Sequence, residues 1–386
     1  MFHRCIKPSK SQSFFIFGAR GTGKSTFILK QWDQNQFNIN LLEDKWESRY
    51  SRNPDLLISD IQALKKRPEW IVIDEVQKNP KLLDIVHHLI ESKNLKFILT
   101  GSSARKLKRG NANLLAGRAF YYQMYPLTTV ELKQEFDLDF ILQWGSLPKV
   151  FSLNDEDRAE FLRSYCQTYL KEEILQEQIV RNGKAFRNFL EIAAQMNGEP
   201  INFSKISRDI DTDTKTVQSF FQILEDTLVG FFLPAFHRSI RKSVKLQPKF
   251  YLFDLGIKRA MEGTLLSDIP IKSSTYGKAF EHFIIAETFR LNSYLRKDFH
   301  FYHYQTTAGG EIDLILIQAQ KVIAVEIKSS SHIDLVEIKK LAKVAQALTP
   351  NKIFYVSQDP TPTQIDSVCC IHWKDFLNQL FKIQQN

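Results

Sequence analysis

Ser13-Phe14-Phe15-Ile16-Phe17-Gly18-Ala19-Arg20-Gly21-Thr22-Gly23-Lys24-Ser25-Thr26 decides how the rest of this 386-residue chain is read. Phe14 to Phe17 are a short apolar run of strand formers. Gly18 to Ser25 then match the phosphate-binding loop pattern at every fixed position, with a strand before and a helix after. The chemistry explains the spacing. Gly18, Gly21 and Gly23 allow a tight turn whose N–H groups point inward and cradle an anion. Lys24 brings a point charge to the β- and γ-phosphates, and the Ser25 hydroxyl is placed to ligand Mg²⁺. Phe27-Ile28-Leu29 continue as a helix whose positive end faces the phosphates. Bound ATP with Mg²⁺ is therefore expected, held by Gly18, Gly21, Thr22, Gly23, Lys24, Ser25 and Thr26.

The next segments support that reading. Between 32 and 67 the pattern is weak, with a strand at 37–42 and a helix at 54–66. Trp70-Ile71-Val72-Ile73-Asp74-Glu75 then reads as a buried parallel strand with two carboxylates at its C-terminal end. Asp74 would hold the Mg²⁺ shell, and Glu75 would orient the attacking water. Without the upstream loop, an Asp-Glu pair would read as a helix N-terminus. Asn79-Pro80 predicts the start of a helix, and Lys96-Phe97-Ile98-Leu99-Thr100-Gly101-Ser102-Ser103 a third strand. Ser102 there is placed to sense the γ-phosphate. The order predicts an α/β fold, a doubly wound and mostly parallel sheet with its site at the strand C-termini.

Composition narrows the rest. At 386 residues and 43% hydrophobic, the chain is long enough for two or three globular domains. The 30 phenylalanines read as aromatic core. Cys5, Cys166, Cys369 and Cys370 show no metal-ligand spacing, which points to a reduced, cytoplasmic protein. No apolar run reaches about 18 residues, so no membrane span is expected, and no signal peptide fits the first residues. Net charge is +9, which favours an anionic partner. Residues 92–130 contain no acid but include Lys93, Lys96, Arg105, Lys106, Lys108, Arg109 and Arg118. Residues 227–253 are also acid-free and include Arg238, Arg241, Lys242, Lys245 and Lys249. Either stretch is a solvated face or a nucleic-acid contact.

These motifs resemble the AAA-type P-loop ATPases with a catalytic Glu after the Walker B Asp. Leu115-Ala116-Gly117-Arg118, Tyr125-Pro126-Leu127 and Trp144-Gly145-Ser146-Leu147-Pro148 sharpen the resemblance to a prokaryotic family. In that family such an ATPase is fused to a C-terminal restriction-endonuclease-like domain. The resemblance implies possible homo-oligomers and makes Arg118 a candidate arginine finger, in cis or in trans, beside the plainer reading of a surface ion pair. Ser146 stands where the family more often has a second glycine.

In the middle, 156–178 reads as one long helix with Phe161, Tyr165, Cys166, Tyr169 and Leu170 on a stripe. Helices at 186–196, 202–210 and 214–227, then strands at 228–233 and 249–253, form a winged-helix pattern. Thr214, Lys215, Thr216 and Gln218 would open a recognition helix facing DNA, with the basic wing on phosphates. Asp209, Asp211 and Asp213 cluster unfavourably beside it, and winged helices also dock proteins.

The C-terminal part carries a second constellation. Glu281 lies near the start of a helix, Asp313 near the start of the strand Glu311-Ile312-Asp313-Leu314, and Glu326 and Lys328 share a face of the paired strand. Asp313 and Glu326 would hold Mg²⁺ with Glu281 completing the shell, and Lys328 would steady the nucleophile or the phosphate. The set resembles the PD-(D/E)XK nuclease core. A scaffold with an exposed acidic cluster is the bland alternative. The expected division is 1–150 ATPase, 151–262 helical linker and winged helix, 263–386 nuclease-like. The expected function is an ATPase whose nucleotide cycle controls a nuclease acting on DNA. The rival is an ATP-driven switch or DNA-binding regulator with a silent nuclease-like domain.

Overall fold

The computed structural model describes residues 2–32, 35–103, 115, 117–170, 183–244 and 246–383. Arg105, Lys106, Lys108, Arg109, Lys245 and the expected helix beyond residue 170 lie outside them. Strands β1 (Ser13–Phe17), β2 (Gln36–Asn40), β3 (Trp70–Asp74), β4 (Lys96–Gly101) and β5 (Ala119–Gln123) form a parallel sheet in the order β2-β3-β4-β1-β5. A strand inside such a sheet is covered on both faces, so it must be apolar throughout, and β1 is buried along its whole length. Because β1, β3 and β4 are parallel neighbours, their C-terminal loops emerge along one edge.

Local chemistry moves some boundaries. A 3₁₀ turn, Val76–Lys78, follows β3, and the helix expected from Asn79 begins three residues later as Leu82–Lys93. The helix expected at 54–66 is Leu56–Gln62, preceded by a helix, Asp44–Arg52, that the weak pattern hid. The long helix from 156 runs as Asp155–Ser164 and then a π-helical turn, Tyr165–Leu170.

Helices Gly183–Gln195, Phe203–Asp209 and Thr214–Asp226 precede a hairpin of β6 (Gly230–Leu233) and β7 (Lys249–Leu252). Phenylalanines fill the space between them. Phe189 lies 5.2 Å from Phe220 and 4.8 Å from Phe221, and Phe221 lies 5.0 Å from Phe250. The acidic turn has a structural job: Asp213 Oδ1 accepts the Thr216 N–H at 3.0 Å and caps the third helix.

The helix Ser274–Leu295 then packs on a six-stranded sheet ordered β12-β13-β11-β10-β9-β8. Strands β8 (His300–Gln305), β9 (Glu311–Gln318) and β10 (Lys321–Ile327) are antiparallel. After the helix Leu335–Ala345, β11 (Lys352–Ser357) runs parallel to β10 and β13 (Val368–His372) parallel to β11. The short β12 (Thr363–Ile365) is antiparallel to β13.

The three parts share buried polar ties. From the long helix, Arg290 Nη1 donates to the Leu127 carbonyl at 3.2 Å and to Ser146 Oγ at 2.9 Å, and Nη2 donates to the Phe253 carbonyl. Asp254 Oδ2 accepts the Ser146 N–H at 2.7 Å while its Oδ1 caps the helix Leu255–Glu262 through Ile257 N–H at 3.1 Å. His282 is a third tie: its Nε2 lies 2.7 Å from the Leu252 carbonyl and its Nδ1 3.2 Å from the Asn197 amide nitrogen. This pairing suits the neutral ring, with Nε2 donating and Nδ1 accepting. Burial pushes the imidazole down to about 3. The unfolded chain therefore binds a proton that the fold refuses, so the stability His282 contributes is full above about pH 6.5 and lost as pH falls toward the folded value. The stability difference between the wild type and His282→Gln should narrow by about 2 kcal/mol between pH 7 and pH 5, read from urea unfolding at each pH. A constant difference would mean the ring takes up its proton in the fold as readily as in the unfolded chain.

Candidate functional site

Two poles of charged chemistry stand out. The first is the edge where β1, β3 and β4 end. Gly23 precedes the helix Lys24–Gln31 at φ +92°, a conformation a Cβ would strain, and a Cβ on Gly18 would sit 2.3 Å from the Met124 carbonyl. The helix has no acid in its first turn, so no residue of that turn would oppose an anion at its N-terminus. Lys24 Nζ donates to the carbonyls of Gly18 at 2.6 Å and Ala19 at 3.2 Å. Thr22 turns inward, its hydroxyl donating to the Ala19 carbonyl at 2.8 Å.

Ser25 Oγ donates to Asp74 Oδ2 at 2.7 Å, and the Thr100 hydroxyl holds Asp74 Oδ1. Neighbouring ligands on an octahedral Mg²⁺ lie about 2.9 Å apart, so these two oxygens already have the spacing the ion requires. Glu75 takes a left-handed backbone at φ +59°, unusual for a residue with a Cβ, and its N–H donates to Thr100 Oγ1 at 3.2 Å. Gln77 Nε2 donates both to the Glu75 carboxylate and to Ser102 Oγ, the latter at 3.0 Å. The acid expected to orient water and the hydroxyl expected to sense phosphate are thus bridged by one amide, which the motif reading had not included.

The loop is also braced from outside. Arg4 Nη1 donates to the Thr22 carbonyl at 2.8 Å, while its Nε pairs with Glu131 at 3.0 Å. Tyr165 Oη donates to the Arg20 carbonyl at 3.0 Å, and Tyr169 Oη accepts the Arg20 N–H at 3.2 Å. A Cβ on Gly21 would come within 3.9 Å of Leu147 and one on Gly23 within 3.8 Å of Pro148. The Gly145-Ser146-Leu147-Pro148 motif therefore lines the phosphate loop.

Arg118 is not at this edge. It precedes β5, whose Ala119 pairs with Ser13 at the start of β1, so it sits at the opposite end of the sheet from the loop. There its Nε donates to Glu91 Oε1 at 2.7 Å. A cis role at the loop of the same chain is overturned by this register.

The second pole lies in the C-terminal sheet. Asp313 Oδ2 accepts the Ile327 N–H at 2.7 Å, which ties β9 to the end of β10 beside Glu326 and Lys328. Lys328 Nζ pairs with Glu326 Oε1 at 2.6 Å, and Glu326 Oε2 is buried with no partner. Burial, then the neighbouring Asp313, pushes Glu326 up to about 8 and Glu281 up to about 7. Burial also raises Asp313. At Lys328, burial is outweighed by Asp313 and Glu326, which hold the ammonium charged. Glu281 Oε1 accepts the Tyr251 hydroxyl at 2.7 Å and lies 3.8 Å from Lys249 Nζ. Among the described residues no three His, Cys, Asp or Glu side chains come together as a ready metal set. The atom of this pair left without a partner is Glu326 Oε2, beside Asp313, a position that a cation or a proton would satisfy.

Lys249 corrects the sequence reading. By sequence it belongs to the acid-free basic stretch 227–253, yet it is 4% exposed and pairs with Glu311 at 2.6 Å. Alternation on β7 puts Lys249 and Tyr251 on one face, and that face meets the carboxylates. A lysine opening an apolar strand was the available signal. The expected recognition residue Thr216 spends its hydroxyl on Asp213 at 2.6 Å. The four cysteines are free thiols, and no helix among the described residues is long and apolar enough to cross a membrane.

Comparison with known proteins finds three matched regions in the chain. Residues 10–133 match an AAA domain family, 135–268 a domain of unknown function (DUF8612) and 276–376 another domain of unknown function (DUF4143). The N-terminal segment is thus an AAA-type, nucleotide-binding P-loop domain. An uncharacterized protein of Haemophilus influenzae is 22% identical over 401 aligned positions, covering 94% of each chain. One of Methanocaldococcus jannaschii is 22% identical, covering 96% of this chain and 86% of its own. Among solved structures, the Aeropyrum pernix ORC1 protein in complex with DNA aligns at TM-score 0.29 and 13% identity, over 66% of this chain and 87% of that one. Can2 from Sulfobacillus thermosulfidooxidans, in complex with cyclic tetra-adenylate, aligns at TM-score 0.24 and 14% identity, over 91% and 99%.

The Glu326–Lys328 pair generates a stability prediction. Removing one partner of this part-buried pair leaves the other less well compensated, at about 1–3 kcal/mol. Lys328→Met should destabilise the fold by about that much at pH 9, where Glu326 is charged, and by clearly less at pH 6, where it is protonated. Urea unfolding at the two pH values reads the difference; equal losses would place the lysine away from Glu326.

Proposed function

We propose that the chain binds and hydrolyses ATP at Gly18–Ser25 with Asp74 and Glu75, and that nucleotide state controls a divalent-cation-dependent phosphodiester-cleaving site in the C-terminal sheet, acting on DNA. The observation that carries the first half is the Ser25 Oγ–Asp74 Oδ2 approach at 2.7 Å, beside a glycine loop in which Gly21 and Gly23 have positive φ and Lys24 Nζ rests on the carbonyls of Gly18 and Ala19. Ser25 Oγ and Asp74 would hold a Mg²⁺ ion there, and the ion would supply positive charge against the phosphates. The chain's own part is positional. Loop amides and Lys24 fix the phosphates, Ser102 meets the terminal one, and Glu75 aligns the attacking water once it leaves Gln77.

Three features support the second half. The order helix, three antiparallel strands, helix, parallel strand is that of the nuclease-like core, with Asp313 and Glu326 on adjacent strands. Lys328 beside them is a fixed cation for a phosphate in flight. Finally, Ser103 Oγ at the tip of β4 donates to the Asp226 carbonyl at 3.1 Å. Asp226 ends the helix that leads into the β6–β7 hairpin, so the nucleotide edge touches the element that reaches the carboxylates. DNA contact through the three-helix unit, homo-oligomers in which Arg118 serves a neighbouring copy, and a cytoplasmic location belong to the same reading. Tyr251 and Lys249 on Glu281 favour a second reading, in which the C-terminal site is silent and the protein is a nucleotide-driven switch.

Lys24→Ala should abolish ATP binding, and Glu75→Gln should retain binding while losing hydrolysis by at least about 100-fold. Plasmid incubated with the full chain, Mg²⁺ or Mn²⁺ and ATP should be cut by the wild type and spared by Asp313→Asn and Lys328→Met. Hydrolysis of ATP without any cleavage would leave the switch; normal hydrolysis by Lys24→Ala would sink both.

A further inference from the structure

We propose that Lys249 is a built-in counter-ion of the C-terminal carboxylate site, standing where a second cation would otherwise sit beside Glu281 and Glu311 and leaving Asp313 and Glu326 to one divalent ion. The divalent ion rests on the function proposed above; the counter-ion rests on geometry. Lys249 Nζ is 2.6 Å from Glu311 Oε1 and 3.8 Å from Glu281 Oε1, and its side chain is 5% exposed. Tyr251, two residues on and on the same face of β7, donates its hydroxyl to Glu281 at 2.7 Å. Neither residue belongs to the segment that carries the carboxylates. Both lie on a hairpin strand of the middle segment, within residues 135–268, while the carboxylates lie within 276–376. The site is composite, and each matched region alone holds half of it.

Charge explains why the lysine is there. Glu281, Glu311, Asp313 and Glu326 face Lys249 and Lys328, so with all groups ionised two negative charges are left over, the charge of one divalent cation. Lys328 serves the Glu326 side and Lys249 the Glu281 and Glu311 side. Without Lys249 the imbalance would grow by one, and Glu281, Glu311 and Asp313 would surround a vacated ammonium position. A buried carboxylate set of that charge recruits a cation or protons. The lysine also places the site under the control of β7. Any displacement of the hairpin withdraws the ammonium and exposes Glu281, so the number of cations held becomes a function of where the middle segment sits.

Lys249 acts through Glu281 and Glu311 and is a positioning residue, so the test uses readouts that a merely structural role would not move. The full-length wild type, Asp313→Asn, Lys249→Met and Lys249→Arg are titrated with Mn²⁺ alone, free Mn²⁺ being counted by electron paramagnetic resonance. The wild type and Lys249→Arg should bind one equivalent, lost in Asp313→Asn, whereas Lys249→Met should bind a second. In parallel, the urea midpoint of Lys249→Met should fall, and the double variant Lys249→Met/Glu311→Gln should recover at least half of that loss. The double variant also keeps the test alive if Lys249→Met alone does not fold. Unchanged stoichiometry in a folded Lys249→Met, or a Glu311→Gln effect that adds to the loss, overturns the proposal. If the wild type binds no Mn²⁺, the metal-dependent function fails, and recovery in the double variant still upholds the counter-ion.

Discussion

The arrangement depends on one buried guanidinium. Arg290 is 6% exposed, and its donors end on the carbonyls of Leu127 and Phe253 and on the Ser146 hydroxyl, three stretches far apart in sequence. Taking an arginine out of water costs several kcal/mol unless every donor is met, so this position tolerates little rearrangement. Asp254, buried beside it, repays part of that desolvation and holds the Ser146 N–H. The result is that the strand end before the ATPase-side turn, the motif lining the phosphate loop and the end of β7 are referenced to one helix. That helix, Ser274–Leu295, also carries Glu281. Movement of the phosphate loop relative to the carboxylate site must either break this junction or pass around it.

Arg4 makes the same argument at the loop itself. Its guanidinium joins the Thr22 carbonyl, the Glu131 carboxylate and the Tyr294 hydroxyl, so the phosphate loop and the last turn of the long helix share a side chain. Tyr165 and Tyr169 grip the loop backbone from the opposite flank. The parts of the loop that stay adjustable are side chains. Lys24 is held by carbonyls it can exchange for phosphate, and Glu75 is held by an amide that also reads Ser102.

Much of this was legible in the order of residues because parallel strands and phosphate loops leave little freedom. Gly18 to Ser25 follow β1, Asp74 ends β3 and Glu75 comes next, a placement readable in sequence because a strand buried on both faces must be apolar. The strands bearing Asp313 and Glu326 were readable from alternation for the same reason. What escaped was set by long-range pairing. β5 reads Ala-Phe-Tyr-Tyr-Gln, half exposed at the sheet edge, and nothing local marks it as the neighbour of β1. Arg118 looked available to the loop until that register put it at the far end of the sheet. Lys249 looked like wing charge because composition records sign and not direction. Asp213 looked like a penalty for a recognition helix, and its cap bond to Thr216 shows a local need instead.

On the function proposed above, the route between the two poles would run through the hairpin rather than through Arg290. Ser103 follows Ser102 and meets the Asp226 carbonyl, Val229 accepts the Phe253 N–H at 2.9 Å, and β6 pairs with β7 so that Leu233 lies opposite Lys249. A terminal phosphate that draws Ser102 away from Gln77 therefore acts on the neighbour of the residue that touches the middle segment. Linkage makes any such effect reciprocal. If nucleotide changes how β7 presents Lys249, then a cation held by Asp313 and Glu326 must change nucleotide affinity by the same factor. A silent C-terminal domain obeys the same relation with its own ligand in place of the cation. The two readings of the C-terminal site thus share one piece of physics, a charged strand from the middle segment closing a carboxylate cluster. They differ only in what the carboxylates not offset by the two lysines attract.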